Sequence, residues 1–185
     1  MIQKIVIING NPLSGENNLN NFIQEINEKL SGKGFEIESF SLSGKNIKQC
    51  VGCFDCWWKT PGLCRFNDDS REILKSVINS NMVIYASPMI MGMYSALLKK
   101  FHDRTIPLVH PYIKMKGGEC HHLKRYPKYP EMGILIEPND ATPEEIELTK
   151  RIFHRIKLNF HSEVRFFYSI YNILPKKLAD EISHI

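Results

Sequence analysis

The sequence predicts an α/β layer fold built on a mostly parallel sheet. Three observations carry this. Short apolar runs rich in β-branched residues alternate with segments of helical period along the chain. The runs are continuous rather than alternating in polarity, as in strands buried on both faces. No repeat or low-complexity linker breaks the order, so right-handed crossovers can join each strand to the next. A length of 185 residues fits one domain covering 1–185.

Met1-Ile2-Gln3-Lys4 leads directly into the first run, Lys4 to Gly10. The turn-rich loop Gly10 to Asn18 follows. Leu19, Phe22, Ile23, Ile26 and Leu30 then share one helical face, with Gly32 and Gly34 as stop signals. Phe35 to Glu38 alternates like a second strand. Residues 41–67 show neither period. Asp69-Ser70-Arg71-Glu72 reads as an N-cap with a reciprocal acid, opening a helix that carries Ile73, Leu74, Val77 and Ile78.

Asn81 to Ala86 is a third buried strand, followed by a loop from Ser87 to Gly92 and a helix over about Ser95 to Arg104. Residues 105–131 hold four prolines and no clear period, too long a stretch for a plain connector. Met132 to Ile136 is a fourth strand. Thr142-Pro143-Glu144-Glu145 combines a capping box with proline at the first helical position, and that helix runs to about Phe160. Val164 to Ile170 is the fifth strand.

Composition excludes several classes. With 43% hydrophobic and 24% charged residues the chain is neither disordered nor coiled-coil. A net charge of +4, from 24 basic and 20 acidic side chains, is too small for a nucleic-acid-coating protein. No apolar run approaches the roughly 20 residues that span a bilayer, and the N-terminus lacks a signal-peptide layout. A cytoplasmic protein is expected, without a nucleic-acid or membrane partner.

Ligands of parallel α/β sheets bind beyond the carboxyl ends of the strands, so the loops 10–18 and 87–92 are the candidates. In the first, the free amides of a strand-to-helix junction and the helix dipole suit an anion. Gly10 and Gly15 permit close approach, and Ser14, Asn17 and Asn18 add side-chain donors. An ordinary turn is the alternative. Glu16 and Asn17 stand where a Walker loop needs Lys and Ser or Thr, the dinucleotide glycine fingerprint is absent, and no cysteine starts a Cys-x5-Arg phosphatase loop. Strand one ends in Asn9 rather than the acid of a receiver domain. The loop holds no Lys or Arg, so binding would rest on neutral donors.

Four of the five cysteines fall between Cys50 and Cys64. Cys50-x2-Cys53-x2-Cys56 puts three thiols on one tight loop, with Cys64 seven residues on. That spacing suits a [4Fe–4S] cube; zinc and free thiols are the alternatives. Trp57 and Trp58 would shield the loop or pack an interface. Cys120-His121-His122, with His102 and His110 upstream, offers a second metal-type grouping, but adjacent histidines rarely share one ion. Lys114, Lys116, Lys124, Arg125 and Lys128, interleaved with Tyr112, Tyr126 and Tyr129, make 105–131 basic and aromatic. This stretch could cover an acidic or planar ligand or form a subunit contact.

Three stretches in order resemble the NAD(P)H-dependent FMN reductases and, more narrowly, the iron-sulfur flavoproteins of the flavodoxin-like superfamily. They are Gly10-Asn11-Pro12 through Asn17-Asn18, then Cys50 through Cys64 with Asn67-Asp68-Asp69, and finally Ser87-Pro88-Met89-Ile90-Met91-Gly92 through Phe101-His102-Asp103-Arg104. The resemblance implies a doubly wound five-stranded parallel sheet of order 2-1-3-4-5 with FMN at the switch point. Gly10, Asn11, Pro12, Ser14, Asn17 and Asn18 would hold the FMN phosphate. Ser87, Pro88, Met89, Ile90, Met91 and Gly92 would line the flavin ring, mainly through backbone groups. Cys50, Cys53, Cys56 and Cys64 would ligate the cluster. The chain departs from the family at Asn11 and Asn18, where hydroxyl residues are usual, at Leu13, where a base is usual, and at Ile90-Met91, where Tyr-Trp is usual. Weakened FMN retention is the expected consequence.

The activity so implied is transfer of electrons from NAD(P)H through FMN to a quinone, a free flavin or the cluster, with no catalytic side chain named because the cofactor carries the chemistry. Two other readings stand beside it. One is an electron carrier that exchanges electrons with a partner such as ferredoxin and has no NAD(P)H turnover of its own; the other is a flavodoxin-like binding module without cofactors. A homodimer or homotetramer is expected.

Overall fold

The computed structural model describes residues 3–184. The expected lead-in at Met1 and Ile2 therefore lies outside the described residues, as does Ile185. In chain order the first half comprises β1 (Lys4–Asn9), α1 (Asn18–Ser31), β2 (Glu36–Ser41), α2 (Asp55–Trp58), α3 (Ser70–Ile78), β3 (Met82–Ile90), β4 (Met93–Tyr94) and α4 (Ala96–Asp103). The second half comprises β5 (Val109–Lys116), β6 (Glu119–Lys124), β7 (Glu131–Glu137), α5 (Pro143–Asn159), β8 (Val164–Ser169) and α6 (Pro175–Ile182).

Five strands pair in parallel in the order β2-β1-β3-β7-β8, the expected 2-1-3-4-5 arrangement once the short antiparallel strands are set aside. The period of two in a strand divides the apolar run of β1 between two cores. Ile5 and Ile7 pack with Leu19, Phe22 and Ile26 of α1 and Leu178 and Ile182 of α6. Val6 and Ile8 pack with residues of α3, α4 and α5, among them Ile73, Leu98, Phe101 and Phe153. Each fully buried Ile or Leu contributes about 1.5–3 kcal/mol, so the flanking helices are held by both faces of one sheet. α5 starts on the predicted capping box: Thr142 Oγ1 accepts from the Glu145 amide, and the Glu145 carboxylate accepts from the Thr142 amide.

Four expectations need correction. Ser87 to Ile90 is not loop but the continuation of β3, which stays in register with β7 as far as Pro88 and then turns back into β4. Pro88 lacks an N–H yet ends its ladder, so it reads as punctuation in sequence while belonging to a strand. Asp69 does not cap α3: Asp68 Oδ1 accepts from the Ser70 amide, and Asp69 Oδ2 accepts from Asn46 N–H at 2.7 Å. The stretch 105–131 contains a β5–β6 antiparallel hairpin, whose period is illegible because most of its residues are exposed on both faces. Beyond Ile170 the sequence predicts nothing, whereas α6 docks on α1 through Leu178 and Ile182. Among the described residues no helix is long and apolar enough to cross a membrane.

Candidate functional site

The first loop is shaped by asparagine side chains. Asn9 Oδ1 accepts from the Asn11 amide at 2.9 Å, and Asn11 Oδ1 accepts from the Leu13 amide at 3.1 Å. Asn11 Nδ2 donates to Asn17 Oδ1 at 2.8 Å, and that same oxygen caps α1 by accepting from Asn20 N–H. Asn20 Nδ2 closes the loop on the Gly15 carbonyl at 2.7 Å. These are Asx-type turns, in which a short amide side chain imitates backbone. Asn11 and Asn17 are therefore engaged in building the loop. The backbone amides of Ser14 to Asn18 have no protein acceptor among the described residues, and they gather at the positive end of a 14-residue helix.

Gly10 is dictated by a close approach. A Cβ there would stand 2.7 Å from Leu98 Cβ and 3.1 Å from Ser95 Oγ. Ser95 is the link that the sequence reading missed. Its hydroxyl donates to the Gly10 carbonyl and accepts from the Leu98 amide as the N-cap of α4, while its amide donates to Ser87 Oγ at 2.9 Å. One serine thus ties the first loop to the end of β3. A third strand-end loop joins from β7: Asn139 Nδ2 donates to the Met89 carbonyl at 2.9 Å. Asn18 Nδ2 donates to Tyr171 Oη, which in turn donates to the Glu137 carboxylate. Asn139, Tyr171 and Glu137 carried no motif; only the strand order brings them to this edge.

Of the residues expected around a flavin ring, Ser87, Pro88 and Met89 are buried, and the Met89 carbonyl is taken by Asn139. Ile90 is exposed and Met91 is 96% exposed, on a turn where Met91 and Gly92 both have positive φ. Leu13, at 67% exposure, is a further apolar side chain facing outward from the first loop.

The four cysteines line one pocket together with Phe66 and Arg104. Cys56 lies buried on α2, Cys50 and Cys64 are half-buried, and Cys53 is exposed. Burial, with smaller contributions from the neighbouring Cys64, Cys50 and Cys53, pushes the Cys56 thiol up to about 11. Trp57 holds the loop down: its indole N–H donates to the Ile106 and Val109 carbonyls, and its ring stacks on Phe54. Trp58 is instead 66% exposed.

Beside the pocket lies a buried ion pair. Asp68 and Arg104 have side chains 2% and 0% exposed. The guanidinium donates to both carboxylate oxygens, at 2.8 and 3.2 Å, and to Ser70 Oγ and the Lys48 carbonyl. Burial pushes the Asp68 carboxyl up, but hydrogen bonds from Arg104, Ser70 and the Lys48 amide outweigh it and hold the group at about 2. The other cysteine and histidines do not converge. Cys120 is exposed on β6, His121 pairs with Glu119, His122 Nδ1 faces the His110 carbonyl, and His102 is buried among Tyr85, Tyr94 and Phe153. Burial depresses His102 to about 3, which keeps it neutral.

The family model described as NADPH-dependent FMN reductase matches residues 3–117. The chain belongs to the NADPH-dependent FMN reductase family. Among its relatives, an iron-sulfur flavoprotein of Methanocaldococcus jannaschii is 36% identical over 105 residues, 57% of this chain and 53% of the relative. An iron-sulfur flavoprotein of Archaeoglobus fulgidus is 39% identical over 92 residues, 49% and 41% of the two chains. The chain thus spans about half the length of these relatives. Among solved structures, an FMN-dependent NADH-azoreductase from Bacillus anthracis, in complex with FMN, superposes with a TM-score of 0.67 at 14% identity, covering 98% of each chain. An NAD(P)H:quinone oxidoreductase from Methanothermobacter marburgensis gives 0.62 at 16% identity, covering 91% of this chain and 85% of that one. These likenesses establish a shared fold.

Two groups associated with this FMN reductase family and its iron-sulfur relatives can be tested against the residues present. A phosphoryl group needs hydrogen-bond donors, and the amides from Ser14 to Asn18, which have no protein acceptor among the described residues, offer them without any Lys or Arg. They fit FMN through neutral contacts. The cysteine pocket offers four soft donors and a buried cation that lies against the Cys64 side chain. Among the described residues no three His, Cys, Asp or Glu side chains form a group that could hold a metal ion as they stand. A cluster binds each thiolate to a different iron, so a donor set of four thiols suits it chemically. The free space now is only about 20 Å³; residues 45–54 carry no regular structure and would have to yield to seat the cluster.

Proposed function

We propose that this chain is an FMN-dependent oxidoreductase that also carries a [4Fe–4S] cluster, in one flavodoxin-like domain over 1–185. The carrying observation is the coupling of three strand-end loops around free amides. Ser95 joins Gly10 to Ser87, and Asn139 joins β7 to Met89. In this reading Gly10, Asn11, Pro12, Ser14, Asn17 and Asn18 form the phosphate loop, of which Asn11 and Asn17 hold the shape and the amides bind. Ser87, Pro88, Met89, Ile90, Met91 and Gly92 border the ring, and Ile90, Met91 and Leu13 exclude water from it. Cys50, Cys53, Cys56 and Cys64 hold the cluster.

FMN held by these residues would supply the redox chemistry that links NAD(P)H to a quinone, a free flavin or the cluster. The protein's share is orientation. The asparagine turns fix the loop before ligand arrives, which lowers the entropy lost on binding. The acceptor is a small molecule or a redox protein such as ferredoxin, the compartment is the thiol-reducing cytoplasm, and the assembly is a homodimer or homotetramer.

A carrier role without NAD(P)H turnover is favoured by one feature, the exposed Lys114, Lys116 and Lys124 on the β5–β6 hairpin, which suit an acidic redox partner. One experiment separates the readings. Anaerobically reconstituted protein that is bleached by NADPH alone supports the reductase. Bleaching only after a reductase and ferredoxin are added supports the carrier. A colourless protein with neither FMN nor iron overturns both.

A further inference from the structure

One wall of the cysteine pocket is a cation. Arg104 leaves α4 at its C-cap with a fully buried side chain. Its two terminal nitrogens serve Asp68, Ser70 and the Lys48 carbonyl. Its Nε is buried and makes no well-formed hydrogen bond among the described residues, and the Cys64 side chain lies against the guanidinium in the pocket that all four thiols line. Phe66, which also lines the pocket, lies 5.3 Å from the guanidinium by its ring centre. Asp68 does not line the pocket. It grips the far edge of the fork and fixes the guanidinium plane.

We propose that Arg104 sets the reduction potential of the cluster held by Cys50, Cys53, Cys56 and Cys64, with its charge beside the cluster and its Nε–H donated to a cluster sulfur. The proposal rests on the cluster reading above. The physics is a charge balance. Reduction by one electron from a titrant breaks no bond and leaves one more negative charge in a buried pocket. A fixed cation stabilises that reduced form and raises the potential, and hydrogen bonds to sulfur act in the same direction. Asp68 offsets part of the effect from behind. Were Arg104 only a staple between α4 and the 48–70 segment, its chemistry would affect stability but not potential.

The test is an anaerobic redox titration of reconstituted protein, followed by cluster absorbance alongside iron and sulfide content. Asp68→Asn keeps the shape and leaves the cation uncompensated. The reduced-to-oxidised ratio at the wild-type midpoint should rise at least tenfold, about 59 mV upward for a one-electron couple. The neutral pair Asp68→Asn with Arg104→Gln should shift the ratio tenfold the other way. Arg104→Lys, which keeps the charge but loses Nε–H and the fork, should shift it downward by less and guards against misfolding of the pair. Opposite shifts in the first two variants sustain the proposal. Shifts of the same sign, or ratios all within threefold of wild type in iron-loaded protein, overturn it. Wild-type protein that takes up no iron overturns the cluster reading itself, an outcome distinct from loaded protein with unchanged potentials.

Discussion

Ser95 and Arg104 stand at opposite ends of α4 and anchor the two candidate sites to it. Ser95 caps the helix against Gly10 of the first loop, and Arg104 ends it against Asp68 beside the cysteines. At 1.5 Å per residue about 13 Å of helix separates them. A disturbance at either end is therefore expected to reach the other through α4, whose inner face of Leu98, Phe101 and His102 is buried.

Ser95→Ala removes the donor to the buried Gly10 carbonyl and the cap of α4 together. A buried acceptor left unpaired costs about 1–3 kcal/mol and a lost cap about 1 kcal/mol. The expected result is a lower melting temperature and weaker FMN binding, with unchanged iron content. Thermal unfolding and a flavin fluorescence titration check both.

Gly10→Ala places a methyl group against Leu98, and overpacking of this kind costs about 1–3 kcal/mol. Gly15→Ala meets open space, so its strain comes only from a φ of +86°. The first variant should lose stability, with a positive coupling to Leu98→Gly, which removes the Cβ that is struck, and none to Leu98→Ala, which keeps it. The second should couple to neither change. Melting curves of the single and double variants decide.

FMN held by neutral amides should bind with little dependence on ionic strength, because no formal charge pair is screened. Leu13→Arg restores a cation beside the loop. It should tighten FMN at least fivefold at low salt, roughly 1 kcal/mol, and the gain should shrink as salt rises. Titrations at two ionic strengths measure this.

Asp68 makes stability depend on pH in a definite direction. Its folded-state pKa, about 2, lies below the ordinary 3.8, so the stabilisation is complete above about pH 4 and is lost as pH falls toward 2. In Asp68→Asn the slope of stability against pH over that window should be smaller, by up to one proton. Removing one partner outright with Asp68→Ala strands a buried cation and should cost about 3–5 kcal/mol, which lowers the melting temperature by roughly 10 °C.

Local physics made much of this protein readable in one dimension. A strand buried on both faces must be a continuous apolar run, so β1, β3 and β7 announced themselves and with them the parallel sheet. The capping box at Thr142 and Glu145 closes within one helical turn and needs no distant partner. Thiol spacing likewise located the cysteine pocket. What remained hidden depends on residues far apart in sequence. Ser95 meets Gly10 across 85 positions, Asp68 meets Arg104 across 36, and Asn18 meets Tyr171 across 153. No periodicity encodes such contacts, because they arise only when crossovers stack the strands in one order. The β5–β6 hairpin was illegible for the opposite reason: with most of its residues in water, neither face imposed a pattern. The sequence by itself determined the five parallel strands, the helices α1, α3, α4 and α5, and which residues bring donors and thiols. Only the tertiary structure decided that asparagines would build the first loop rather than line it, through side-chain bonds among residues 9–20 that follow no period, and that a buried arginine would face the thiols, through a partner 36 residues away.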